Sequence, residues 1–168
     1  MLQLIRAWFD ICLLRRAPQD LPASNYLLGL SLCCYAAVSL LVSAQSYAFP
    51  RVLLLAAVDL GLLAGFVSLL LYLQGKVARF NQTLSAMAGT GSIMGLIALP
   101  LLLMAGPETF GGEVPASLVS VWLLLLLWNL FVMAHIIRHA LSTTFLVGIG
   151  FSILYAVISM QVITTLFP

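Results

Sequence analysis

The sequence predicts an all-α membrane protein, with five transmembrane helices preceded by an interfacial amphipathic helix. Three observations carry this fold class. The chain has seven Lys/Arg and five Asp/Glu in 168 residues, and 63% of it is apolar. Soluble domains carry about 25% charged residues, so this chain has too few to cover a water-facing surface. The apolar residues gather into five runs of about twenty, the length that crosses roughly 30 Å of hydrocarbon at about 1.5 Å per residue. Asp59 is the one charged residue that falls inside those runs. Strands of a membrane barrel would be about ten residues long and alternating, which these runs are not.

Residues 1–17 form the first element. Gln3, Arg6 and Asp10 recur at helical spacing on an otherwise apolar stretch that includes Trp8. The stretch is too short to span and ends in Arg15, Arg16 and Pro18. It predicts a helix in the headgroup layer, with Arg6, Arg15, Arg16 and Trp8 meeting lipid. Asp10 interrupts any signal-peptide core, so the stretch is expected to be retained.

The transmembrane domain is expected over residues 24–168, with spans at about 25–44, 52–73, 83–105, 116–137 and 144–166. Pro22, Pro50 and Pro115 precede three of them. The longest link, 106–115, is rich in Gly, Pro and Glu and holds Glu108 and Glu113. In the second span Ala57, Gly61, Ala64 and Ser68 form a small-residue stripe nearly opposite Asp59, and Gly61/Gly65 has G-x-x-x-G spacing. That pattern predicts a central helix packed on both sides. The third span has a second small face, Ala88, Gly91, Ser92 and Gly95, and Pro100 predicts a kink near its end.

The distribution of basic residues sets the orientation. With the N-terminus in the cytoplasm, inner segments hold Arg6, Arg15, Arg16, Lys76, Arg79 and Arg138, and outer segments hold only Arg51. The expected location is the cytoplasmic (inner) membrane of a bacterium, with the C-terminus outside.

Few residues offer chemistry. A carboxylate at the centre of a membrane helix costs about 2.5–3.5 kcal/mol to insert, and such acids usually mark function. Asp59 is therefore the leading intramembrane polar site. Gln161 is its expected neighbour at matching depth, and Asn129 lies deeper. The alternative is a neutral Asp59 hydrogen-bonded to a neighbouring helix. His135 and His139 have the i,i+4 spacing of a metal pair, but no Glu follows the first and no other histidine exists, so no metal is expected. Cys12, Cys33 and Cys34 have neither zinc nor redox spacing. With no nucleophile–base pair, paired acids or phosphate loop, neither an enzyme nor a cofactor is expected. Net charge is +2 and no basic cluster carries stacking aromatics, so nucleic acid is excluded as a partner. The expected partners are the bilayer and another membrane protein or a second copy of the chain.

The loop and third span read RFNQTLSAMAGTGSIMGLIALP (79–100), and the fourth reads WNLFVMAHIIRHAL (128–141), before a fifth span. In this order the chain resembles the small bacterial proteins of the Yip1 family over about residues 24–168. The resemblance implies a cytoplasmic N-terminus, five membrane helices and a non-enzymatic role in membrane organisation or trafficking, often in complexes. The acidic, aromatic motif of eukaryotic members is absent, so a role with small GTPases is not implied. Two functions are carried forward. One is a membrane scaffold or partner-binding subunit; the other is a small proton- or cation-linked transporter or channel-like subunit using Asp59.

A reporter fused within residues 76–79 is expected to give a cytoplasmic signal. A periplasmic signal there would reverse the orientation.

Overall fold

The computed structural model describes residues 2–45, 47–105 and 115–167. Six α-helices follow one another: α1 (Leu2–Cys12), α2 (Asn25–Ser43), α3 (Phe49–Leu73), α4 (Phe80–Ala105), α5 (Ala116–Leu141) and α6 (Phe145–Leu166). Short 3-10 turns at Pro18–Asp20 and Val77–Arg79 lie before α2 and α4. Helices α2 to α6 are each long and apolar enough to cross a membrane. Glu108 and Glu113 lie outside the described residues.

Helix ends differ from the expected spans where polar residues stay helical. Helix α4 starts at Phe80 rather than Thr83, and α5 continues through Arg138 and His139 to Leu141. Helix α3 starts three residues early because Pro50 sits in its first turn, where its missing N–H costs no hydrogen bond. Helix α4 runs on past Pro100 to Ala105.

The centre of the bundle is α4, which corrects the placing of the second span there. Every described residue from Thr83 to Gly95 is buried or half-buried. Helices α1, α2, α3 and α5 and both 3-10 turns pack on it. Small side chains make this possible, because they let neighbouring backbones approach from all sides. A Cβ at Gly91 would lie 2.7 Å from the Tyr35 ring, and one at Gly95 2.6 Å from Val38. Ala88 and Ser92 are buried on the same helix. Gly61 and Gly65 differ: nothing lies within 4 Å of a Cβ built at either. Within one chain they are not packing positions, because their stripe turns away from α4.

Helix α1 also departs from expectation. Ala7, Trp8, Ile11 and Cys12 are buried, and the Trp8 indole lies against Gly89 of α4. Trp8 is thus a core residue rather than an interfacial one: the absence of a side chain at Gly89 leaves room for the indole. Ile5 and Phe9 are half-exposed on another face. The polar stripe of Gln3, Arg6 and Asp10 borders an open cleft with Arg16 and Asp20. Trp128 Nε1 donates to the Cys12 carbonyl at 3.1 Å and pins the end of α1 to α5.

Helices α1, α3 and α5 terminate alike, in left-handed residues at Leu14 (φ 60°), Gly75 (φ 65°) and Ser142 (φ 53°). In each case the next N–H reaches back five residues: Arg15 to Asp10, Lys76 to Leu71, and Thr143 to Arg138. These bonds occupy carbonyls that a helix end leaves free. The end of α5 is capped further. Arg79 Nη1 donates to the His139 and Ala140 carbonyls and to Ser142 Oγ, each at 3.0 Å. Lys76 Nζ donates to the Leu141 carbonyl and Gln19 Nε2 to that of His139. Cations at a helix C-terminus also meet the negative end of its dipole.

Burial pushes the Cys12 thiol up to about 11. The thiolate is the reactive form, and only on the order of one Cys12 in a thousand is ionised at pH 8. In a Cys33→Ala/Cys34→Ala background, maleimide labelling of Cys12 should rise about tenfold per pH unit from 8 to 10. Trp128→Phe should raise labelling several-fold at fixed pH by loosening α1. Equal labelling with and without the indole N–H would show that the bond does not hold α1.

Candidate polar cleft around Asp59

Asp59 lies near the middle of α3, fourteen residues before its end at Leu73. Ser39 lies fourteen residues into α2, and Ser159 fourteen residues into α6. At 1.5 Å per residue, all three lie about 21 Å from the same end of the bundle. Ser39 Oγ donates to Asp59 Oδ2 at 3.3 Å. Tyr35, one turn before Ser39, has its phenol beside the same carboxyl. Helix α6 repeats the arrangement with Tyr155 one turn before Ser159. The Tyr155 ring packs on Phe66 of α3, with centroids 5.0 Å apart.

Asp59, Tyr35, Tyr155 and Ser159 line a cleft of about 450 Å³ between α2, α3, α5 and α6. Asn129 of α5 and Thr164 of α6 complete its polar lining, and Leu126, Leu130, Met133 and Ile163 supply apolar wall. Rim residues Leu126, Asn129, Met160 and Thr164 are exposed, so the cleft opens on the flank of the bundle. Two further cavities, of about 70 and 270 Å³, each share Tyr35 and Asn129 with it. The larger of these reaches Trp122. No Lys or Arg borders any of the three.

The sequence-predicted residues fall in different places. Asp59 and Asn129 share the cleft. Gln161 does not line it and is exposed, because its side chain leaves α6 on a different face from Tyr155 and Ser159. Sequence reasoning missed Tyr35, Ser39, Tyr155 and Ser159. A signal for them was present: YAAVSL (35–40) and YAVISM (155–160) repeat one pattern, Tyr and Ser one turn apart.

His135 and His139 lie at the other end of α5, with ring centroids 4.6 Å apart. A His135 ring nitrogen lies 3.0 Å from the Arg16 carbonyl and donates to it, and Arg138 donates to His139 at 3.2 Å. The His135–Arg16 contact ties the α1–α2 link to α5. Among the described residues no group of three His, Cys, Asp or Glu is placed to hold a metal.

Fold and site together define a bundle with five membrane-length apolar helices and a carboxylate in a lateral polar cleft. No protein-family model, curated protein or solved structure matches the chain.

Proposed function

We propose that the chain is a non-catalytic scaffold or partner-binding subunit of a bacterial cytoplasmic membrane. It is of membrane-organisation or trafficking type and similar to the small bacterial Yip1-family proteins. Its N-terminus faces the cytoplasm, with α1 at the inner headgroup layer. The outer face of α3 carries the proposal. Ala57, Gly61, Gly65 and Ser68 are exposed there, with open space at both glycines. A groove of about 360 Å³ runs beside Gly65, Ser68, Leu69 and Tyr72. Association between membrane helices depends on close packing rather than on water exclusion, and small residues permit it. On α4 the equivalent residues are consumed by the chain's own packing; on α3 they are free for a helix of another subunit.

The cleft supports a second function, a small transporter or channel-like subunit in which Asp59 takes a proton or cation. A carboxylate beside an open cavity is the arrangement such a role needs.

Replacing both Gly61 and Gly65 with Leu should leave the detergent melting temperature within a few degrees of wild type and abolish partner co-purification in mild detergent. Gly91→Leu, which drives a side chain into Tyr35, should lower stability by about 1–3 kcal/mol. Partner retention by the double variant would defeat the scaffold function. For the second function, Asp59→Asn should abolish proton-coupled flux in liposomes without loss of folding. Flux that survives the substitution would exclude it.

A further inference from the structure

We infer that the Asp59 cleft binds a lipophilic monovalent cation, an ammonium-type charge carried on an apolar body, entering from the flank of the bundle. The inference rests on the second function above and names its ligand class.

The charge of the site points to a cation. Ser39 of α2 donates to Asp59, and Tyr35 of α2 with Tyr155 and Ser159 of α6 lines the same cleft. A carboxylate attracts any positive charge held beside it, hydroxyl oxygens turn lone pairs towards it, and phenol rings attract a cation through their faces. The ion pair among the described residues is Arg16–Asp20, far along the chain from this site, and no Lys or Arg lines the cleft. An ionised Asp59 therefore takes its counter-charge from outside the chain. A bound cation offsets the cost of holding that charge in an apolar layer.

The size and walls point to an organic cation. A metal ion needs several oxygens converging within about 2.6 Å. The cleft measures about 450 Å³, within the roughly 300–1,000 Å³ of small-molecule sites. Opposite the carboxylate, Leu126, Leu130, Met133 and Ile163 present hydrocarbon. An ammonium at Asp59 thus places its apolar body on these side chains. Because the rim opens on the apolar flank, a ligand already dissolved in lipid enters without crossing water.

The test uses the full chain in nanodiscs, with radiolabelled tetraphenylphosphonium as probe and equilibrium dialysis as readout. Tetraphenylborate, of like shape and opposite charge, is the control. The phosphonium should bind saturably at about one per chain, and the borate should match empty nanodiscs. Asp59→Asn should weaken binding by about tenfold or more, a loss of about 1.4 kcal/mol, and Asp59→Glu should keep most of it. Ala156→Phe, which adds bulk at a cleft-lining position other than the carboxylate, should also abolish binding, and melting temperatures report folding of each variant. Equal phosphonium uptake by loaded and empty nanodiscs would overturn the site, as would undiminished binding in folded Asp59→Asn. Should Asp59→Asn not fold, the phosphonium–borate comparison and Ala156→Phe decide. Binding without uptake into liposomes supports the site and removes the transport function. Asp59-dependent proton flux without phosphonium binding overturns the site and leaves the transport function standing.

Discussion

The close approach of backbones around α4 is the constraint on which the rest of the bundle depends. Between Thr83 and Gly95 that helix offers Ser, Ala, Gly and Thr at most positions. The tight contacts follow from this: Trp8 on Gly89, Tyr35 on Gly91 and Val38 on Gly95. Hydrocarbon solvates Leu as well as a neighbouring helix does, so apolar area alone gives such helices no reason to assemble. Packing density and satisfied polar groups must do so instead. Ser92 and Thr90 illustrate the second requirement, since each returns its hydroxyl proton to a carbonyl of its own helix, at 2.8 Å. They are small enough to pack and make no demand on the neighbour.

The basic residues have a second role that the loop statistics conceal. Read as loop charges, Lys76, Arg79 and Arg138 report only orientation. In the fold, Lys76 and Arg79 reach across to the last carbonyls of α5, and Arg138 lies over the Phe145 ring at 5.6 Å. The α3–α4 link is thereby bolted to the α5–α6 link. Gln82, which donates to the Leu21 carbonyl at 2.8 Å, joins the α1–α2 link to the same end. Three connections that share no sequence proximity form one polar layer, where backbone groups at helix ends would otherwise lack partners.

Helix number and length were legible in the sequence because they follow from apolar run length, which needs no knowledge of neighbours. Facing was not. Helices surrounded by lipid and by one another are apolar on every side, so the stripe of Gly61 and Gly65 looks the same on paper as that of Gly91 and Gly95. Only the fold shows that the second is spent within the chain and the first is not. The same limit explains Gln161. Depth arithmetic put it level with Asp59, but rotation about α6 decides what a side chain meets, and that rotation gives Tyr155 and Ser159 to the cleft. The left-handed ends at Leu14 and Ser142 were equally hidden, since neither residue type advertises that conformation.

The location of the cleft follows from how α6 is held. Helix α6 packs chiefly on α5 and only lightly on α3. Its buried residues, Gly148 and Ser152, both lie in its first half. Gly148 rests directly on the Ala134 carbonyl, so the two helices touch backbone to backbone near the end shared with the polar layer. Beyond Ser152 the surfaces that face the cleft carry Tyr155, Ala156, Ser159, Met160 and Ile163 on α6, and Leu126, Leu130 and Met133 on α5. Helix α6 has no glycine after Gly150 to repeat the backbone contact, and α4, consumed by α2 and α1 on its small faces, does not fill the gap. Asp59 enters that gap from α3 at the level where the spacing widens. The tight contact at one end and the polar cleft further along therefore both follow from where α6 places its close-packing glycine.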